Sequence, residues 1–127
     1  MQAILAINEL GWIGLNGKLP WKCRADLQHF KAMTMGKTLL VGRTTYESMP
    51  ELKGRKVVVV GTGYNTLSEA LKMDIDYVIG GKSMYEGVSH LITHIHLSVI
   101  DNYTVGDVYA PRISLKVPMT VYEFSEG

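Results

Sequence analysis

The stretch KTLLVGRTTYESMPELKGRKVVVV, residues 37–60, contains two apolar runs separated by a helical pattern. Residues 37–41 (KTLLV) and 57–60 (VVVV) are short and rich in branched side chains, which is typical of buried strands. Residues 44–49 (TTYESM) between them predict a helix. Strands that are apolar on both faces suit a sheet covered on both sides, and such sheets are typically parallel. The stretch therefore predicts a strand–helix–strand unit with a right-handed crossover.

The same alternation extends along the rest of the chain. Further strands are predicted at residues 3–7 and 77–79, and further helices at 25–35, 67–72 and 83–91. This order predicts an α/β fold with a mostly parallel central sheet flanked by helices on both faces. The tail differs, because residues 94–101 (HIHLSVID) and 119–124 (MTVYEF) look like strands with no helix between them. We therefore expect an antiparallel C-terminal edge.

Composition narrows the class of protein. A chain of 127 residues suits one domain, residues 1–127, and 46% apolar with 20% charged residues argues against wholesale disorder. With 13 basic against 12 acidic residues and no basic block, we expect neither nucleic acid nor a membrane surface as partner.

Cys23 is the one cysteine, which excludes an intramolecular disulfide and a thiolate zinc cluster and fits a reducing compartment. The N-terminal sequence resembles neither a signal peptide nor a membrane span, so we expect a cytoplasmic protein.

Asp26 has two interpretations. On the predicted helix 25–35 it lies four residues before Phe30, at the edge of the apolar stripe. Desolvation there would raise the pKa of the carboxyl group, which could then bind a cationic or amidine-like ligand by charge-assisted hydrogen bonds. Alternatively, Asp26 lies in the first helical turn because the helix dipole favours acids there. Spacing alone favours this alternative, since perturbed carboxylates are a minority.

Three glycine turns follow predicted strands. They are Gly42-Arg43-Thr44-Thr45, Gly61-Thr62-Gly63 and Gly80-Gly81-Lys82-Ser83. Backbone N–H groups and a close approach to glycine, with the Arg43 side chain, suit phosphates, and turns at the carboxyl ends of several strands suggest a dinucleotide. Ordinary turn chemistry is the alternative, because no complete GxGxxG motif is present.

The histidines predict little. His94 and His96 lie on one face of a predicted strand and could share a metal, but no third ligand is evident, so we favour surface or packing roles and expect no metal site. His29 is expected to face solvent.

Short motifs in a fixed order then point to a family. From Trp12 to Lys56 they are Ile13-Gly14, Leu19-Pro20-Trp21, Ala25-Asp26-Leu27, Phe30-Lys31, Gly42-Arg43, Thr45 and Gly54-Arg55-Lys56. A second block, Tyr77-Val78-Ile79-Gly80-Gly81, is followed by Met84-Tyr85-Glu86, and residues 97–100 and Gly106-Asp107 match more weakly. This ordered set resembles the dihydrofolate reductase family over most of the chain.

The resemblance implies reduction of 7,8-dihydrofolate to 5,6,7,8-tetrahydrofolate by hydride transfer from NADPH, in support of one-carbon and thymidylate metabolism. It reverses the preference on Asp26, which matches the family's pocket acid and should hold N3 and the 2-amino group of the pterin. From there the acid cannot touch N5, so water must deliver the proton. Dihydrofolate and antifolate-like small molecules are the expected ligands, and a monomer is the expected state.

Residue roles also follow from the resemblance. A mobile loop over the nicotinamide should include Leu19, Pro20 and Trp21, and Gly106 and Asp107 should belong to a second loop that supports it. The implied catalytic residues are Asp26, Leu19 and Trp21. The implied substrate contacts are Ile4, Ala6, Asp26, Leu27, Phe30, Met49, Leu52, Arg55 and Ser98, with Arg55 on the glutamate α-carboxylate. The implied cofactor contacts are Ala6, Ile13, Gly14, Gly42, Arg43, Thr44, Thr45, Thr62, Gly80, Gly81, Lys82, Ser83, Met84 and Tyr85. The Gly80–Gly81 peptide bond should be cis.

Departures from the family pattern leave other functions open. The adenosine-binding part, about residues 37–90, has a shortened segment at 61–65, and Ser83 stands where some members have arginine. Preference for NADPH over NADH therefore rests mainly on Arg43 and Thr62. The part from residue 108 onward is also short, so an edge strand of the family is expected to be missing. The alternatives are a reductase of the same fold acting on another heterocycle, such as the pyrimidine of riboflavin synthesis, or a non-catalytic folate- or nucleotide-binding protein.

Overall fold

The computed structural model describes residues 1–113 and 116–126, in which strands alternate with helices as the sequence predicts. The elements are β1 (Gln2–Asn8), β2 (Trp12–Gly14), α1 (Arg24–Thr34), β3 (Thr38–Gly42), α2 (Arg43–Ser48), β4 (Lys56–Val60), α3 (Leu67–Ala70), β5 (Tyr77–Gly80), α4 (Lys82–Gly87), a 3-10 turn (Ser89–Leu91), β6 (His94–Asp101), β7 (Val108–Tyr109) and β8 (Met119–Ser125). The helix predicted at 83–91 is thus divided into α4 and the 3-10 turn. None of the helices in the described residues is long and apolar enough to cross a membrane.

The main sheet has six parallel strands in the order β4-β3-β5-β1-β6-β8. β1 lies inside it and pairs with β6 from Gln2↔His94 to Asn8↔Ile100. Because side chains alternate along a strand, Ala3 and Leu5 point to one face and Ile4 and Ala6 to the other. The predicted α/β fold with a mostly parallel sheet is confirmed.

Each face of the sheet has its own buried cluster. The larger cluster joins Ala3 and Leu5 to buried residues of β3–β6, α3 and α4. The smaller cluster consists of Trp21, Cys23 and Ile100, with Ala6 and Phe124 packed against it. α1 covers this second face, so the start of α1 lies over the carboxyl ends of β1 and β6.

The predicted antiparallel C-terminal edge is wrong. β8 pairs with β6 in parallel, from Ile95↔Met119 to Asp101↔Ser125. β6 ends at Asp101 and β8 begins at Met119, and the chain between them is longer than the dozen or so residues that a parallel crossover needs. β2 and β7 form a separate short antiparallel sheet.

The segment 11–22, which leads from β1 towards α1, contains β2 and a tight turn. Leu15 and Lys18 exchange backbone hydrogen bonds of 2.7 and 3.1 Å, and Asn16 and Gly17 between them have φ of 52° and 78°. Asn-Gly at two consecutive positive φ values is the preferred sequence for a two-residue hairpin turn. The loop is therefore ordered by local pairing before it reaches Trp21.

Candidate active site

Asp26 is buried where α1 begins. It is 7% exposed and lies over Ser98, which is paired with Ala6 of the neighbouring strand. Burial raises the pKa of the Asp26 carboxyl group above its usual 3.8, while the Ser98 hydroxyl and the charge of His29 act in the opposite direction with smaller effects. A favourable place in the first helical turn alone does not explain this burial.

Two buried nitrogen atoms lie on either side of Asp26 in the sequence. Trp21 Nε1 and His29 Nε2 have no hydrogen-bond partner in the part of the chain that the structure describes. Trp21 is 5% exposed and packs in the cluster that includes Ala6. Since buried polar atoms normally have partners, both atoms need a physical reason for their position.

Arg55 lies at the other end of α1. Its Nη1 donates to Thr34 Oγ1 at 3.2 Å and its Nε to the Lys53 carbonyl at 3.0 Å. Together with Met49 and Leu52 it lines an open cavity of about 420 Å³. Thr34 follows Asp26 by eight residues, so the carboxylate and the arginine are separated by about 12 Å along the helix.

A glycine-lined edge forms where β3 and β5 end. A Cβ atom built on Gly42 would lie 3.8 Å from the Gly81 nitrogen, and one on Gly81 would lie 2.8 Å from Thr45 Oγ1. The Gly80–Gly81 peptide bond is cis, as the resemblance implies. Arg43 adjoins this edge, because a Cβ atom on Gly61 would meet the Arg43 Cβ at 2.7 Å. The structure thus brings together Gly42, Arg43, Thr45, Gly80 and Gly81.

The two predicted loops contact each other. Asp107 N donates to the Gly14 carbonyl at 2.8 Å, and Asn16 N donates to Asp107 Oδ2 at 3.0 Å. Asn8, which no sequence motif singles out, anchors both loops from the fully buried end of β1. Its Nδ2 donates to Asn102 and to the Thr104 carbonyl, and its Oδ1 accepts from the backbone of Leu10 and Trp12. The signal was a single asparagine at the end of an apolar strand, ahead of a glycine-rich loop.

Other predicted residues differ in exposure. Leu19 and Leu27 are 48% and 59% exposed, so their apolar surfaces are open to a ligand. Ile4, Met84 and Tyr85 are buried, and Tyr85 donates from its hydroxyl to the Ile4 carbonyl at 2.5 Å, which joins α4 to β1. Four further predicted residues are half-buried, namely Ile13, Gly14, Phe30 and Lys82. Three are exposed, namely Thr44, Thr62 and Ser83.

The solvent-facing position expected for His29 is wrong. Its ring lies against Tyr122 and Phe124 of β8, with centroid separations of 4.2 and 5.3 Å. The polar side chain suggested exposure, but β8 passes beneath this side of α1. His94 and His96 have ring centroids 4.5 Å apart and bond to Thr120 and to Gln2 and Tyr122 respectively, which is a packing arrangement. Among the described residues no group of three or more His, Cys, Asp and Glu side chains could hold a metal ion.

Comparisons with known proteins agree with this geometry. The sequence model for dihydrofolate reductase matches residues 1–123. The chain is 34% identical to dihydrofolate reductase type 8 of Escherichia coli, over 86% of this chain and 79% of that protein. It is 30% identical to the dihydrofolate reductase of Mycoplasma genitalium, over 98% of this chain and 88% of that protein.

The chain belongs to the dihydrofolate reductase family. A dihydrofolate reductase from Enterococcus faecalis, solved in complex with NADP(H) and RAB-propyl, superimposes with a TM-score of 0.77 at 30% identity, over 89% of this chain and 78% of that chain. The resemblance and the dihydrofolate-reductase-like fold predicted from the sequence are therefore confirmed.

Proposed function

We propose that the protein reduces 7,8-dihydrofolate to 5,6,7,8-tetrahydrofolate with NADPH as the hydride donor. The observation that carries the proposal is the arrangement along α1, with a buried carboxylate at its start and a fixed guanidinium at its end. Folate has a matching polarity, because its pterin presents N–H donors and its glutamate presents a carboxylate. Family membership and the NADP(H) complex of the Enterococcus faecalis relative support both the substrate and the cofactor.

Asp26 would bind the pterin. An ionised carboxylate accepts two hydrogen bonds side by side, which matches N3–H and the 2-amino group. Ser98, beneath Asp26, keeps the carboxylate oriented. Between the two polar ends, apolar surface for the rings would come from Leu27, Phe30, Met49 and Leu52. Arg55 would bind the α-carboxylate of the glutamate. Arg55 also favours folate over a heterocycle that lacks the glutamate.

The glycine edge fits a dinucleotide. Gly42, Gly80 and Gly81 have no side chains, and side-chain atoms at Gly81 would collide with Thr45, so this surface stays flat enough for a ligand to reach the backbone. Arg43 and the Thr45 hydroxyl would hold the phosphates, with residues 37–90 forming the adenosine-binding part and Thr62 at its exposed rim. When bound, NADPH supplies the hydride for C6.

The remaining residues would orient the pterin ring and keep water away from the nicotinamide. Asp26 fixes the ring and polarises it, and water donates the proton to N5 because the carboxylate is bound at the opposite edge of the ring. Trp21 closes the apolar wall beside Ala6 and limits water near the nicotinamide. Leu19, half-exposed on the preceding segment, covers the site when the loop closes. A cytoplasmic monomer serving one-carbon metabolism is part of the same proposal.

The test is the loss of NADPH absorbance when dihydrofolate is added. We expect turnover by the wild-type protein and a loss of roughly 10²-fold or more in Asp26→Asn, because the amide lacks the charge and one acceptor oxygen. Asp74→Asn, which changes an exposed acid that lines a different cavity, is the matched control and should retain activity. Folded wild-type protein that does not consume NADPH with dihydrofolate would exclude the proposed reaction.

A further inference from the structure

The loop between β1 and α1 is attached to the rest of the protein at both of its ends. At its start, the fully buried Asn8 accepts hydrogen bonds from the backbone of Leu10 and Trp12. At its other end, Lys22 N donates to Glu126 Oε2 at 3.2 Å, just beyond the end of β8. The two attachments enclose the loop that the proposed reaction uses to cover the nicotinamide.

The second attachment also positions the start of α1. Cys23 is the N-cap residue of α1, but in the part of the chain that the structure describes its side chain caps none of the helix N–H groups. Its thiol instead donates to the carbonyl of Ser125, the neighbour of Glu126, at 3.4 Å. Trp21 comes two residues before Cys23 and Asp26 three residues after it. A shift of the chain at this junction would therefore move both Trp21 and Asp26.

Asn102 connects the two attachments. Its Oδ1 atom accepts from Asn8 Nδ2 at 3.1 Å and from Thr104 N at 3.0 Å. Because a backbone N–H can only donate, the atom that meets Thr104 N is the amide oxygen, and the amide nitrogen faces the other way. This nitrogen donates to Glu126 Oε1 at 2.5 Å, while Oε2 of the same carboxylate accepts from Lys22 N. A continuous chain of hydrogen bonds thus joins Asn8 at the start of the loop to Lys22 at its end.

We propose that Asn102 and Glu126 form a positioning pair that fixes the end of the loop at Lys22. Through this contact the pair holds Trp21 and Asp26 in place, so its functional meaning rests on the proposed function. Two donors meet Glu126, and a carboxylate suits this position because it offers one acceptor oxygen to each of them. The negative charge also lies beside the N-terminus of α1, where the helix dipole favours an acid.

The direction of the hydrogen bond between the pair can be reversed by substitution. Glu126→Gln cannot accept from both Lys22 N and Asn102 Nδ2, so one of the two bonds is lost. Asn102→Asp places a second carboxylate against Glu126, while it keeps the acceptor oxygen that meets Asn8. The two substitutions combined restore the pattern, because the new amide can accept from Lys22 N and donate to the new carboxylate at position 102.

The first measurement uses protein without substrate or cofactor. It follows the solvent exchange of the Trp21 Nε1 proton by ¹⁵N NMR, and the signal is assigned by its loss in Trp21→Phe. Because Trp21 Nε1 is buried, its proton reaches solvent when the loop opens. The matched control is Thr120→Val, which removes the 2.8 Å hydrogen bond to His94 at the opposite end of β8.

Exchange should be roughly fivefold faster in Glu126→Gln, the factor that corresponds to one lost hydrogen bond. It should be roughly tenfold faster or more in Asn102→Asp, where two carboxylates face each other. The combined variant should exchange within about twofold of the wild-type rate, and Thr120→Val should leave the rate unchanged. Single-turnover hydride transfer from NADPH to dihydrofolate should be slower in each single variant and restored in the combined one.

Three results would overturn the proposal. The first is an unchanged exchange rate in both single variants. The second is a combined variant that exchanges as fast as Asn102→Asp or faster, which is the additive result expected of two unrelated sites. The third is an equal acceleration in Thr120→Val, because any weakening of β8 would then have the same effect.

The result is separable from the proposed function. Folded wild-type protein that does not reduce dihydrofolate would exclude the proposed function, yet the exchange rates, measured without ligand, still decide whether the pair fixes the loop. Faster exchange with an unchanged hydride-transfer rate would show that the pair orders the loop but not the reaction, and would overturn the positioning role. If Asn102→Asp does not fold, Glu126→Ala takes its place. It removes both acceptors and must exchange faster than Glu126→Gln, and a rate equal to that of Glu126→Gln or lower would overturn the proposal.

Discussion

Arg55 donates a hydrogen bond from Nη1 to the Thr34 hydroxyl at 3.2 Å, and Thr34 donates in turn to the Phe30 carbonyl at 2.8 Å. Thr34 is fully buried, so the hydroxyl is fixed in place. The second hydrogen bond of Arg55, from Nε to the Lys53 carbonyl, orients the plane of the guanidinium. Arg55 lines the same cavity as Met49 and Leu52.

Thr34→Val should therefore weaken folate binding through Arg55. The substitution keeps the shape of the side chain but removes the acceptor, so we expect KM for dihydrofolate to rise several-fold with kcat nearly unchanged, the signature of lost uniform binding. Steady-state kinetics with dihydrofolate and with a pterin lacking the glutamate would test this. Thr34→Ser is the control that keeps the hydroxyl. Equal losses for both substrates in Thr34→Val would contradict a role at the glutamate end.

Arg43 pairs with Glu47 across one turn of α2. The Nε–Oε1 distance is 3.1 Å and both side chains are about half exposed, at 47% and 49%. Such a surface pair contributes little, so a phosphate can compete for the guanidinium. We expect Arg43→Ala to raise KM for NADPH by roughly tenfold and KM for NADH far less, because NADH lacks the 2′-phosphate.

Glu47→Gln is the matched variant for this site. It releases Arg43 without removing it, so KM for NADPH should stay the same or fall. Kinetics with both cofactors at constant ionic strength measure the effect. Equal increases in KM for NADPH and NADH in Arg43→Ala would mean that Arg43 does not contact the 2′-phosphate.

Asp26→Asn should stabilise the folded protein at neutral pH. Burial raises the pKa of Asp26, so between its usual 3.8 and the folded value the native state binds more protons than the unfolded state. The contribution of the neutral acid to stability is fully present below pH 3.8 and is lost as the pH rises through the folded pKa. Asparagine carries no charge and does not incur this loss.

Urea unfolding from pH 4 to pH 8 would measure the difference. The free energy of unfolding of Asp26→Asn should exceed that of the wild type at pH 7, and the gap should narrow as the pH falls. A gap that is independent of pH would show that the carboxylate charge is not its cause.

The sequence predicts the inner parallel strands well, because they contain short apolar runs such as VVVV at 57–60. It does not predict the direction of β8, since an alternating strand has the same pattern in a parallel or an antiparallel pair. The strands β2 and β7, of three and two residues, are too short to produce a periodic signal. Their pairing depends on contacts between segments that are distant in the chain.

The candidate site, too, could be predicted from the sequence only in part. Spacing on α1 places Asp26 at the edge of an apolar stripe but does not distinguish a first-turn acid from a buried one, and only the ordered family motifs made that distinction. The environment of His29 depends on Tyr122 and Phe124, which follow it by more than ninety residues. Asn8 could not be found from the sequence for the same reason, because its partners Asn102 and Thr104 lie just beyond the end of β6, more than ninety residues along the chain.

Gly106 should control how the two loops meet. A Cβ atom there would overlap the Gly14 carbonyl oxygen and lie 3.1 Å from the Trp12 Cβ. Gly106→Ala must therefore push the segment of Asp107 away from β2, where Asp107 N now bonds to Gly14 at 2.8 Å. We expect slower hydride transfer in single-turnover measurements, because the contact that supports the loop before Trp21 is lost.

Overpacking of this kind also costs about 1–3 kcal/mol of stability. Gly87→Ala is the matched control, since a Cβ atom at the end of α4 meets nothing within 4 Å. It should retain both the hydride-transfer rate and the free energy of unfolding. If Gly106→Ala unfolds more easily but transfers hydride at the wild-type rate, the contact between the loops serves the fold alone. If both quantities fall while Gly87→Ala is unchanged, the close approach of Gly106 to Gly14 is part of the catalytic machinery.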